Sequence, residues 1–353
     1  MKKTALRLTV CVILSWSCIS CYVLRQSVPF LRHHWGARPN AKLLLDEGTS
    51  KNVVDLLTRV SDLRKFSREE LGLEDSHNYT RYYELDRSYL VAVVQGAEEF
   101  GLEPHYYNYP LLGSLPYRGF YDMEQANREK KKLAKQGYDV FVRPVDAFSS
   151  LGYFKDPLFS FMVDYADHRL AELIIHEQTH ATVFITGEAE FNEKLATLVG
   201  REGAAQYIVS RFGSESKENQ MMGESRLDSD QFALDMYDLS QKLTAVYTAD
   251  ISDDQKRTQK REVIGRFKAE FISTYEARYS GDGYRDIAAM EINNAFISLF
   301  RLYQEPEGRL DMLLSRTGNI GRMIELLRKE LEEEDQDPWD AVDRIINRAE
   351  PWG

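Results

Sequence analysis

The stretch that decides the reading runs Ala171-Glu-Leu-Ile-Ile-His176-Glu177-Gln-Thr-His180, then Ala181 to Thr186, then Gly187-Glu-Ala-Glu-Phe-Asn-Glu193-Lys-Leu-Ala196-Thr-Leu-Val-Gly200. Its first part has helical periodicity, and on a helix residues four apart lie one above the other, about 5–6 Å between Cβ atoms. His176 and His180 can therefore present two imidazole nitrogens to adjacent corners of a zinc tetrahedron, each at about 2.0–2.1 Å. Glu177 follows the first of them and can lean over a water at the metal as general base. The bland alternative is two histidines on an ordinary amphipathic helix. Against it stand Leu173 to Ile175 before the motif and Val183 to Ile185 after it. They make the helix apolar nearly all round, hence buried, and two buried histidines are costly without partners.

A hydrolytic zinc site needs a third protein ligand and a fourth corner open to water. Gly187 predicts a turn between two helices, so the second runs antiparallel to the first. Glu193, early in that second helix, can then face His176 and His180, and the small Ala196 one turn later lets the backbones approach. Glu188 and Glu190 are rivals nearer the turn, where a carboxylate would at best orient a histidine. The expected cofactor is Zn2+, on His176, His180 and Glu193.

Outward from this motif, the chain has 353 residues, 45 basic against 56 acidic, for a net charge of −11 and a pI near 5.3. Nucleic acid is excluded as partner, because phosphate binding needs clustered Lys and Arg. Hydrophobic content of 43% with 29% charged residues belongs to a folded protein. The three cysteines, Cys11, Cys18 and Cys21, all precede residue 22, so the body carries no disulfide.

Lys2, Lys3 and Arg7 followed by the apolar Leu8 to Ile19 have the form of a targeting segment. Ser20 is small enough to precede a cleavage, and Cys21 could then carry a lipid on its thiol. The rival is an uncleaved anchor over Leu8 to Leu24, at the lower length limit for a bilayer of about 30 Å. Either places the body outside the cytoplasm, on a membrane of the cell envelope. Cleavage would remove three cations, so 42 basic side chains would face 56 acidic ones, a net −14 that anionic head groups repel.

Residues 21–50 read as a tether or connector and 51–353 as one domain. Its first part, 51–163, is predicted as α/β: short helices over 51–73, a strand from Tyr82 to Val94, and short strands and turns from Tyr106 to Tyr121. A helix capped by Asp122 and closed at Gly137 follows, then a brief strand from Tyr138 to Val142. From Asp164 onward periodicity is helical. The expected fold class is α+β, mainly helical and zincin-like, with a small sheet before the metal helix and no long strand after residue 210.

His176-Glu-Gln-Thr-His-Ala with Phe191-Asn-Glu-Lys-Leu-Ala-Thr-Leu-Val-Gly resembles the bacterial predicted-aminopeptidase family of gluzincin-type secreted lipoproteins. Cys21-Tyr22 with Gln26, Tyr117 to Tyr121, Gly137 to Val140, Ser149 to Pro157 and Asn293 to Ala295 extend the likeness over nearly the whole chain past residue 20. Departures lie at Gln178, Thr179 and Phe148 and bear on substrate preference rather than on the ligands. The resemblance implies a zinc peptidase, with a Glu-x-x-Ala third-ligand block at Glu193, a peptide substrate and a lipidated Cys21. In such an enzyme a distal tyrosine can donate to the tetrahedral oxyanion, for which Tyr303 and Tyr284 are candidates. Ser150 and Gly152 could belong to an edge strand that pairs with extended substrate. Glu99 could hold the α-ammonium that an aminopeptidase must recognise. Arg118 fits a structural ion pair better than a substrate carboxylate, and Asn293 and Asn294 fit buried backbone partners better than catalysis. Two other functions share these residues: a zinc amide hydrolase acting on cell-wall peptides, and a non-catalytic envelope protein with a structural metal or a binding partner.

Overall fold

A computed structural model describes residues 22, 25–75, 78–109, 113–146, 156–303, 308–331 and 337–348, with backbone alone at 189 and 301–303. In chain order the elements are α1 (25–36), β1 (Arg38–Pro39), α2 (Asn40–Leu44), α3 (Lys51–Glu69), β2 (Arg81–Tyr83) and β3 (Val91–Ala97). Then follow β4 (Tyr107–Tyr109), β5 (Gly113–Leu115), β6 (Arg118–Phe120), α4 (Met123–Ala134), β7 (Asp139–Val145) and β8 (Leu158–Phe159). The helical half comprises α5 (Asp167–Thr182), α6 (Ala189–Phe212), α7 (Lys217–Thr248), α8 (Asp253–Arg278) and α9 (Asn294–Ile297), then α10 (Arg309–Thr317), α11 (Ile320–Glu330) and α12 (Pro338–Arg348). The protein is mainly helical with small sheets, and no strand follows residue 210 among the described residues.

Four features differ from expectation. The 51–73 segment is one helix to Glu69 rather than several, because Leu56, Leu57, Val60 and Leu63 form a continuous buried stripe. The single strand expected from Tyr82 is interrupted over residues 84–90, where Glu84, Asp86, Arg87 and Ser88 do not suit a buried ladder. Residues 25–44, which showed no element in the sequence, fold as α1, β1 and α2 and bury His33, Ala37 and Leu43. Strand signal also does not end near Val142: β8 follows, parallel to β2.

The central strand β3 is buried at all seven positions because β6 and β7 both pair with it antiparallel while α4 and α9 pack on it. Asp122 caps α4 by accepting from the Glu124 and Gln125 N–H groups, and Gly137 supplies the left-handed φ of 89° that ends it. One core joins α3, α5, α6, α10, α11 and α12; a second lies among α7, α8 and α9.

Candidate metal centre

Helix α5 is fixed at both ends. At its start Arg59 of α3 donates to the carbonyls of Val163 and Tyr165 and to the Asp167 carboxylate. At its end Thr182 donates to its own helix at Gln178 and accepts the Glu74 N–H. The turn into α6 is clasped by Asn192, whose amide accepts from Ile185 N at 3.0 Å and donates to Ile185 O at 2.8 Å. Gly187, at φ 93°, makes the reversal possible. The face of α6 turned to α5 is small at Ala196, Gly200 and Gly203. A Cβ on Gly200 would lie 3.0 Å from Glu172 O and 3.2 Å from His176 Cβ, so the helices touch at backbone distance beside the first histidine.

That close approach brings three side chains to one point. His176 Nε2 and His180 Nε2 stand 3.1 Å apart, their rings near perpendicular at 85°. Glu193 reaches them with separate oxygens, 3.6 Å from His176 Nε2 and 3.4 Å from His180 Nε2. Tetrahedral zinc ligands at about 2.0–2.1 Å from the ion lie roughly 3.3–3.4 Å from one another, so these three edges fit the group. The chemistry of the set points the same way. Two imidazole lone pairs and a carboxylate converging within this distance repel unless a cation or a proton sits among them.

The titration of Glu193 and His176 reflects that demand. Burial pushes the Glu193 carboxyl up, but hydrogen bonds and charge from His176 and His180 outweigh it and hold the group down at about 2. Burial pushes His176 down, yet the Glu193 hydrogen bond and the Glu177, Glu193 and Glu172 charges leave it raised. The His180 side chain is 4% exposed and that of Glu193 62%, so the cluster has a closed side and an open one.

A family model described as "Putative aminopeptidase" matches residues 22–337. The chain belongs to this family. Comparison with curated proteins and with solved structures finds no match. Glu177 of this family member is buried on α5 and lines a cavity of about 20 Å³, room for one water, together with Tyr79, His33, His34 and Asp156. Tyr79 is the one described non-glycine residue with positive φ, 61°. Its backbone is held there by its N–H to Asp156 O at 2.7 Å and by Asn40, which donates to its carbonyl at 2.8 Å. Burial, then the Glu177 and Asp156 carboxylates, push its phenol well above the usual range.

The other sequence candidates fall in different places. Glu190 pairs with Lys194 at 2.8 Å, and neither it nor the exposed Glu188 joins the group of His176, His180 and Glu193. Glu99 is gripped through both oxygens by Arg257 of α8, at 2.6 and 2.9 Å, beside the second core; its carboxylate already has a cation. Tyr284 stacks on Phe232 in that second core. Arg118 lies over Tyr107 with its guanidinium 3.5 Å from Glu129, a structural role. Asn294 donates to the carbonyls of Glu98 and Glu99, and Asn293 caps α9 and donates to Val140 O. Cys21, Ser150 and Gly152 lie outside the described residues, as does the side chain of Tyr303. Sequence reasoning missed Gly200, Gly203 and Asn192. A glycine seven residues past a candidate ligand, on the helix face that points to the metal helix, is the signal that could have found the first.

Proposed function

We propose that this protein is a zinc-dependent peptidase, an aminopeptidase by its family, held to the outer side of a membrane. The observation that carries this is the convergence of His176, His180 and Glu193 on edges of 3.1–3.6 Å, with Glu177 next in sequence to the first ligand. His176, His180 and Glu193 would hold the ion. When bound, zinc supplies a Lewis acid that polarises the scissile carbonyl and lowers the pKa of water. Glu177 takes the proton from the attacking water and passes it to the leaving amine. Its burial keeps bulk water from competing for that proton, and the anionic Glu193 offsets part of the dication's charge.

The tether is supported by Tyr22. Its hydroxyl donates to Gly119 O at 2.6 Å, and its ring packs edge-on against Phe120 and under the Arg118 guanidinium. A tyrosine docked on β6 is not available to a membrane span. The apolar stretch would then end by Cys21, and the 14 residues from Leu8 cover only about 21 Å as helix, short of a bilayer of about 30 Å. This favours a lipid on Cys21 over an uncleaved anchor. No helix among the described residues is long and apolar enough to cross a membrane.

The test is metal content of the purified protein beside a Glu177→Gln variant, with hydrolysis of a panel of amino-acyl and internally quenched peptides. Zinc near one per chain in both, and cleavage by the wild type alone, is the expected result. Absence of metal from both would overturn the proposal; cleavage only of internal bonds would leave the zinc site standing and remove the aminopeptidase assignment.

A further inference from the structure

Although the chain as a whole is acidic, the exposed face of α1 is not. Arg25, Val28, Arg32 and Trp35 recur at helical spacing, and all four are exposed; Val28 is 59% and Trp35 76% accessible. The opposite face carries His33, buried among the rings of Tyr83, Tyr121 and Phe159. The outward tryptophan and valine are therefore not an unfinished core. A large aromatic with a polar tip, an aliphatic side chain and two cations on one helix stripe is the composition that lies at the head-group level of a bilayer. Lys42 on α2 and Leu45 just past its end are also exposed, Leu45 to 86%.

We infer that the outer face of α1 rests on an anionic lipid surface, so that the protein lies against its membrane instead of hanging from a tether. This rests on the proposed attachment at Cys21. Two observations select a bilayer over other occupants. The charge is complementary on the helix itself: Arg25 and Arg32 are the charged groups of this stripe on a cleaved chain of net −14, and Arg87 beside them offsets part of Glu84, Asp86 and Asp122 in the adjoining cleft. The chain before α1 also leads to the membrane with no slack. Tyr22 is docked on β6, so one residue, about 3.5 Å of chain, separates the body from a lipid at Cys21. At that distance the start of α1, three residues further on, is held next to the head-group layer.

The test uses the lipidated protein, purified from membranes and reconstituted in vesicles of phosphatidylcholine and phosphatidylglycerol. Residues 1–20, and Trp16 with them, are absent from a protein lipidated at Cys21, so Trp35→Phe beside the wild type gives the signal of Trp35 by difference. Expected is Trp35 emission quenched by lipid brominated on the upper acyl carbons and shielded from aqueous iodide. Arg25→Gln with Arg32→Gln should shift the apposed population by about 25-fold, near fivefold per arginine, and so return Trp35 to iodide. If the protein floats with the vesicles while Trp35 is open to iodide and blind to brominated lipid, the inference is overturned and the attachment stands. If the protein does not float with vesicles, the attachment fails and the inference with it. Shielding of Trp35 without lipid that grows with protein concentration would assign the face to a second copy of the chain and overturn the inference as well.

Discussion

Gly200 of α6 sits against His176 of α5 with less room than a methyl group ordinarily takes: a Cβ there would be 3.2 Å from His176 Cβ and 3.0 Å from the Glu172 carbonyl. The two helices can cross this closely only where one of them has no side chain, and the crossing is what carries Glu193 to the histidines.

Gly200→Ala should therefore separate the helices. The obstacle is backbone and cannot rotate away, so we expect a loss of about 1–3 kcal/mol and weaker zinc retention on dialysis against a chelator. Gly223→Ala in α7, which meets nothing within 4 Å, should instead stabilise by up to about 1 kcal/mol. Urea unfolding of both variants beside metal analysis checks this; equal effects at the two sites would contradict the close-contact account.

Glu193→Gln keeps the volume but leaves two neutral imidazoles and a weak amide oxygen. Zinc retention and hydrolysis should both fall steeply. Glu188→Gln and Glu190→Gln should each lower affinity by at most about 10–100-fold, and Glu190 by little, given its pairing with Lys194. Wild-type zinc content in the Glu193 variant after chelator dialysis, with loss in either of the others, would move the third ligand to the turn.

His33 ties stability to pH. Burial, followed by the Arg87, His34 and Arg32 charges, holds its imidazole down at about 4 against 6.5 in the unfolded chain. Above about pH 6.5 it is neutral in both states and has no effect. Between 6.5 and 4 the unfolded chain binds the proton first, so stability falls with pH, by roughly 3 kcal/mol at pH 4. His33→Phe keeps a ring among Tyr83, Tyr121 and Phe159 and should flatten this part of the stability curve relative to wild type. Parallel curves from pH 7 to 4 would show that His33 is not a source of the slope.

Asp139 joins three distant segments, accepting from Lys260 at 2.6 Å and from Asn294 N at 2.8 Å, with the two charged side chains 11% and 20% exposed. Removing one partner of a largely buried pair leaves the other charge stranded, so Asp139→Asn should destabilise by about 3 kcal/mol. Glu276→Gln, whose pair with Arg285 lies in solvent, should change stability by less than about 1 kcal/mol. Thermal or urea unfolding compares them, and an equal small effect would show that the Asp139 junction is solvated.

The sequence by itself determined what depends on near neighbours. His176 and His180 are four apart on an apolar segment, a turn is forced at Gly187, and Glu193 follows early in the next helix, so helical geometry alone brings all three to one side. Asp122 and Gly137 likewise mark the ends of α4 through hydrogen bonds and a φ value that are local. Tertiary structure decided the rest, because the partners lie far apart in the chain and no periodicity links them. Glu99 has the sequence look of a free loop acid, yet its charge is taken by Arg257, 158 positions away. The cavity behind Glu177 is built from α1, the segment before β2, and the chain around Asp156. The length of α1 itself was not legible: its buried face is made by rings from β2, β8 and Tyr121, which give His33 a place that its own neighbours in sequence cannot.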